Sequence, residues 1–141
     1  MAELSRFGVA MERELLERFD DLCERRGYEN RSEALRDLVR RELDREVWRR
    51  GEQAVATITL VYDHHVREVT EKLTEIQHEH SMHVISTLHV HLDAHHCLEV
   101  IAARGPARAL QSIADRLIGS RGVLSGHVVP AALPRHKRKA R

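Results

Sequence analysis

Apolar positions along the chain change period several times, and each change marks an element. From Arg6 to Met11 they alternate, with Phe7, Val9 and Met11 on one side and Arg6, Gly8 and Ala10 on the other, the period of a short strand. Leu15, Leu16, Phe19, Leu22 and Cys23 then recur at helical spacing, and Gly27 after Arg25 and Arg26 is a stop signal. Asn30 with Glu33 three residues later reads as an N-cap and its acidic partner. It opens a second helix that turns Ala34, Leu35, Leu38, Val39, Leu43 and Val47 inward. Gly51, Glu52 and Gln53 interrupt that pattern. Ala54 to Tyr62 is rich in β-branched residues and predicts a strand, and Val66, Val69, Leu73 and Ile76 predict a helix. Val84 to Leu92 and Cys97 to Ala103 flank the short loop Asp93 to His96, as the arms of a hairpin do. Pro106 starts a further helix with Leu110, Ile113, Leu117 and Ile118, Gly122 ends it, and Gly126 to Ala131 is a last strand.

The fold class that follows is α+β in two parts. The first is a strand-helix-helix unit. A lone strand of about six residues is unstable and leaves a naked edge, so the unit calls for a second copy. Two strands paired about a two-fold give an antiparallel ribbon of the size that fits the DNA major groove. The second part, β-α-β-β-α-β, is the ferredoxin-like split motif with both helices on one side of a small sheet. The expected division is residues 1–50 for the DNA-binding unit, 51–53 for a linker, 54–133 for the second domain and 134–141 for a basic tail.

The length of 141 residues allows one ordinary domain, or two small ones that complete their cores by oligomerising. No apolar run approaches the roughly 18 residues of a membrane helix, and the charged start does not read as a signal peptide, so the expectation is a cytoplasmic protein with no membrane role. The net charge of +1 does not announce a nucleic-acid binder. Residues 1–50 carry 12 Lys+Arg against 13 Asp+Glu, 51–105 carry 3 against 8, and 106–141 carry 8 against 1. DNA binding must then depend on where the arginines sit. The tail PRHKRKAR is basic and reads as disordered, with solvation or phosphate contact as its two explanations.

Histidine is the telling bias: nine of the eleven fall between His64 and His96. His89 and His91, two apart on a strand, leave the same face. If the hairpin closes around Ala94, His91 sits opposite Cys97 and His89 opposite Glu99. Two imidazoles and a thiolate then converge, with Glu99 placed to accept a ring N–H and fix the tautomer. A fourth donor comes from His78 or His80 at the end of the preceding helix, with His83 a weaker candidate. Such a set suits Ni(II) or Cu(II) in a planar geometry and Zn(II) in a tetrahedral one. Cys23, on the apolar face of helix one, reads as a small buried hydrophobe. His64, His65, His95 and His96 read as surface histidines or weaker metal contacts. With two distant cysteines, both thiols are expected reduced. No H-E-x-x-H pair or nucleophile set points to an enzyme. A metal buffer without a DNA role and a ribbon-helix-helix antitoxin remain alternatives.

The stretch QHEHSMHVISTLHVHLDAHHCLEV, residues 77–100, together with RGYENRSEALRDLVR in the N-terminal part, resembles the nickel-responsive repressors of the NikR family over nearly the whole chain. The resemblance implies a ribbon-helix-helix dimer and an ACT-like domain that makes a homotetramer, a dimer of dimers. It also implies Ni(II), one per subunit, held by His89, His91 and Cys97 of one chain and His78 of its neighbour. The loaded tetramer would bind a palindromic double-stranded operator and repress nickel-uptake genes, with the ion as corepressor. Arg6, Gly8 and Ala10 map to the base-reading strand, where relatives often carry polar residues at the last two positions. Arg6 has the fork that bonds a guanine edge, and Asn30, Arg31 and Ser32 at a helix N-terminus suit phosphate contact. Glu33 and Asp37 resemble the family's second cation site, and equally read as a solvated face neutralised by Arg36, Arg40 and Arg41.

Overall fold

A computed structural model describes residues 3–132; the basic tail, 134–141, lies outside them. The chain divides into two compact units, Met1–Arg41 and Glu42–Arg141.

The first unit is built on two helices, α1 (Arg13–Arg26) and the first part of α2 (Arg31–Arg49). Gly27 ends α1 in the left-handed region at φ 73°, with its N–H donating to Glu24 O at 3.1 Å and that of Tyr28 to Cys23 O at 3.0 Å. This pair of bonds satisfies carbonyls the helix leaves open, at a φ that glycine adopts without steric cost. Asn30 caps α2 as its position predicts: its Oδ1 accepts the Glu33 N–H at 2.9 Å. Arg31 joins the start of α2 to α1 through two hydrogen bonds to the Asp20 carboxylate, both 2.8 Å. Cys23 and Ala34 are buried, as an apolar face between two helices requires.

Residues 3–12 carry no strand. The Arg6–Met11 strand is expected as a pairing between two chains, and within one chain it has no ladder to join. Phe7 is 81% exposed, and Val9, Leu15 and Val39 are exposed too. Val39 and Leu43, both expected inward, are exposed in the single chain.

In the second unit α2 ends at Gly51 with the same capping geometry, φ 68°, and the Glu52 N–H donating to Val47 O at 3.2 Å. The last turns of α2 belong to this unit. Val47 and Trp48 pack against its core, and Trp48 Nε1 donates to Gln111 Oε1 at 3.0 Å. There follow β1 (Gln53–Asp63), α3 (Val69–Glu79), β2 (Val84–His91), β3 (His96–Pro106), α4 (Ala107–Ile118) and β4 (Val123–Ala132). The sheet order is β2-β3-β1-β4, antiparallel at every pairing, which is the split β-α-β-β-α-β arrangement.

Alternation makes one face of this sheet the core. Ala54, Ala56, Ile58, Leu60 and Tyr62 of β1 are buried with Cys97, Ile101 and Ala103 of β3, against Val69, Leu73 and Ile76 of α3 and Leu110, Ile113 and Leu117 of α4. Several boundaries differ from the sequence expectation: β3 runs on to Pro106, β4 starts at Val123, and α3 and α4 both shift. Val66 precedes α3 instead of opening it, because Asp63 closes a turn there: its carbonyl accepts the Val66 N–H at 3.1 Å and its Oδ1 the His65 N–H at 2.9 Å. Helix α4 stops at Gly119 and not at Gly122, which lies in the following turn at φ 98° and gives its carbonyl to the Asp63 N–H at 3.0 Å.

Candidate metal centre

β2 is one of the two edge strands of the sheet, and its register on β3 pairs His89 with Glu99 and His91 with Cys97. Cys97 is fully buried, because β1 lies on its other side with Tyr62 directly opposite. His89 and His91 are exposed. A buried sulfur and open imidazoles thus meet at the rim of the core.

Nδ1 of His91 lies 3.4 Å from Cys97 Sγ. Nδ1 of His64 lies 3.4 Å from the same sulfur. These three residues are the one group of three His, Cys, Asp or Glu donors among the described residues whose ligand atoms all fall within 4.8 Å of one another. His64, expected at the surface, is half-buried and turned toward the thiol. It follows the last residue of β1, and its N–H donates to His95 O at 3.0 Å, which ties the end of that strand to the hairpin loop. The signal was the register of β1 against β3, which a non-local pairing sets and local spacing does not.

His89 stands beside the triad, its ring centroid 5.0 Å from that of His91. Its Nδ1 points elsewhere, 3.3 Å from Tyr62 Oη and 3.9 Å from Glu99 Oε1. Glu99 is a buried carboxylate, and Gln77 Nε2 donates to its Oε2 at 3.4 Å. Burial pushes its pKa up, opposed by the Gln77 hydrogen bond and the nearby His89. Burial also raises the Tyr62 hydroxyl, with Glu99 and Cys97 adding to the effect. The phenol therefore stays protonated at neutral pH. Tyr62 is a neighbour of this site that the sequence pattern assigned only to a strand.

Of the helix-end histidines, His80 Nε2 sits 2.9 Å from Arg116 Nη1 and His83 Nδ1 sits 3.2 Å from Arg104 O. His78 is exposed on α3, in a cavity of about 580 Å³ with Thr74 and Glu75, and is not part of the triad. In the loop, Asp93 is held well below the usual carboxylate range by its hydrogen bond to the His96 ring and by the His95 and His96 amides. His65 Nε2 meets Ala94 O at 2.9 Å.

In the first unit Arg6, Gly8, Ala10, Arg31 and Ser32 are exposed. Asn30 spends its side chain on the α2 cap and Arg31 on Asp20. Asp37 accepts a hydrogen bond from the Tyr28 hydroxyl and pairs with Arg41 at 3.0 Å, and the Tyr28 bond in particular holds its carboxyl below the usual range.

Residues 55–130 match the family described as "NikR C terminal nickel binding domain", and residues 5–46 match "Ribbon-helix-helix protein, copG family". Relatives described as "Putative nickel-responsive regulator" include one from Geobacter sulfurreducens, 58% identical over 92% of this chain and 94% of its own. Others are from Solibacter usitatus, 53% identical over 91% and 93%, and Trichlorobacter lovleyi, 49% identical over 96% and 99%. A solved structure of an uncharacterized protein from Thermotoga maritima, 14% identical, covers 56% of this chain and 98% of its own with a TM-score of 0.51, a likeness of fold alone. A ribbon-helix-helix segment joined to a nickel-binding α+β domain defines a metal-responsive DNA-binding regulator, a class without enzymatic activity. The chain belongs to the NikR family of nickel-responsive regulators. Among the described residues no helix is long and apolar enough to cross a membrane.

Proposed function

We propose that this chain is a nickel-dependent repressor of nickel-uptake genes, acting in the cytoplasm with Ni(II) as corepressor, one ion per subunit. The observation that carries the reading is the alignment of His91 with a buried Cys97 at 3.4 Å, in a chain that also holds a ribbon-helix-helix segment. Imidazole and thiolate together are a borderline-soft donor set suited to late divalent ions. In this reading His89, His91 and Cys97 of one subunit and His78 of its neighbour are the ligands, which agrees with an exposed His78 outside the triad. Glu99 and Tyr62 orient His89: with Nδ1–H donated toward them, Nε2 is the ring nitrogen left for the ion. Bound nickel supplies a link between subunits through these donors.

The reading also needs self-association, first as a dimer through the Arg6–Met11 strand and then as a tetramer through the second domain. Exposed Phe7, Val9, Leu15 and Val39 support the dimer. On the sheet face away from the core, Leu88, Val90 and Val129 are exposed, and this apolar surface supports the tetramer. Residues 1–50, 51–53 and 54–133 remain its working division, with Arg6, Gly8 and Ala10 reading bases and Asn30, Arg31 and Ser32 contacting phosphate of a palindromic operator. A second cation at Glu33 and Asp37 would require Asp37 to give up Arg41. The test is a gel-shift assay of the full chain against DNA upstream of nickel-transport genes. Binding should appear with Ni(II) and vanish on chelation, and nickel uptake without any DNA shift would make the chain a buffer instead.

A further inference from the structure

We propose that the cavity between α3 and the end of α4 is a second ligand site, separate from the metal centre, that takes a small phosphate polyanion such as pyrophosphate or the diphosphate of a nucleotide. The cavity measures about 870 Å³. Arg67, Lys72, Arg116 and Arg121 line it, and Glu68 is the one carboxylate among its lining residues. That balance runs against the rest of the domain. Residues 54–133 hold six Lys+Arg and eight Asp+Glu, so four of six cations and one of eight acids meet at a single recess. A recess lined by one sign of charge focuses its field and concentrates counter-ions.

Helix α3 sorts its charge by flank: Lys72 and Ile76 line this cavity, while Glu71, Glu75 and Glu79 line another with His78. Glu68, the N-cap residue of α3, gives no side-chain hydrogen bond to the first turn, so the positive end of that helix dipole opens beside the same recess. The α4 terminus brings the opposite sign, but the Gly119 and Ser120 amides close on Asp115 O and Leu117 O at 2.9 and 3.2 Å. Depth favours a small ligand over the phosphates of a duplex. Arg116 is drawn back by Glu79 and His80 Nε2, each 2.9 Å away, and its side chain is 40% exposed against 93% for Arg67. A ligand must enter the recess, past buried Ile76, to meet both arginines, which a duplex lying on the surface does not do. Arg67 stands 3.8 Å from Glu68 in a well-exposed pair that a phosphate can displace. None of the lining residues is a proposed nickel ligand, so the site stands apart from the nickel reading.

Calorimetry at low salt measures the binding of inorganic pyrophosphate and of ADP to the full chain, freed of metal on a chelating resin, with far-UV circular dichroism as the check of fold. Lys72→Ala and Arg121→Ala should each weaken pyrophosphate by roughly tenfold, the scale of a lost charge-assisted hydrogen bond. Glu68→Gln should tighten it by about two- to fivefold, the reach of an exposed like charge. Arg108→Ala removes a cation of the same domain outside the cavity and should change nothing. ADP that binds as tightly as pyrophosphate or tighter admits nucleotides, and weaker ADP confines the ligand to inorganic phosphates; the phosphate class stands in either case. The proposal fails if pyrophosphate does not bind at millimolar concentration. It fails too if Arg108→Ala weakens binding as much as Lys72→Ala, which would make the effect one of bulk charge. If Lys72→Ala and Arg121→Ala keep pyrophosphate and instead lose affinity for a short duplex without an operator, the cluster is a DNA contact and the proposal is wrong.

Discussion

Across the β2–β3 ladder His91 faces Cys97, and its Nδ1 approaches the buried Sγ to 3.4 Å. Directly opposed residues on an antiparallel pair project to the same face, so this contact follows from register and not from a flexible loop. One consequence concerns the thiolate. Cys97→Ala should lose the sulfur-to-nickel charge-transfer absorption and weaken Ni(II) by more than about a hundredfold, beyond the range of an outer-shell change. An unchanged absorption spectrum would remove Cys97 from the site.

Glu99 is expected to act on affinity and stability in opposite directions. Burial holds its carboxyl above the ordinary range, so the folded state favours the protonated form. Stability is then lost as pH rises from the unfolded value of about 4.3 through the folded one. Glu99→Gln removes the buried charge and should raise the melting temperature of the metal-free protein at pH 7 and leave it nearly unchanged at pH 4. Ni(II) should bind about 10- to 100-fold more weakly, because the acceptor beside His89 Nδ1 loses its charge. Thermal melts at the two pH values and a metal titration test both parts.

Arg31 is shared between folding and the proposed phosphate contact. Its bonds to Asp20 hold that carboxyl below the usual range, with stability present above the unfolded value of about 3.9 and lost as pH falls through the folded one. Melts of Asp20→Asn should therefore fall below wild type at pH 7 and converge with it in strong acid. If Arg31 contacts a phosphate, Arg31→Ala should lower the slope of DNA affinity against salt by about one. An unchanged slope would leave Arg31 a purely structural cation.

Nickel is expected to couple two weak dimeric readers. Two dimers held at a fixed spacing gain effective concentration on paired half-sites, and the ion favours the arrangement it binds more tightly. Inserting about five base pairs between half-sites turns one by roughly half a helical turn. Affinity for the nickel-loaded chain should drop sharply, and about ten inserted pairs should restore part of it. Equal affinity for all three spacings, measured by gel shift, would mean that each dimer binds alone.

The sequence by itself determined most of the elements and the facing of His91 and Cys97 across the hairpin. Periodicity located both N-terminal helices, the Gly27 stop and the Asn30 cap, because these depend on residues within one or two turns of each other. The hairpin register was legible for the same reason: a short loop fixes which residues of its arms are opposed, and so pairs His91 with Cys97 and His89 with Glu99. Tertiary structure decided what non-local pairing controls. The alignment of β1 with β3 puts Tyr62 opposite Cys97 and brings His64 to the same sulfur, across 33 residues of chain. The Asp63 turn moved the start of α3, and the packing of Trp48 on Gln111 drew the end of α2 into the second unit. Such contacts are chosen by how whole faces fit together, and no local spacing encodes them. The strand expected at Arg6–Met11 is absent from the single chain, where nothing offers it a ladder to join.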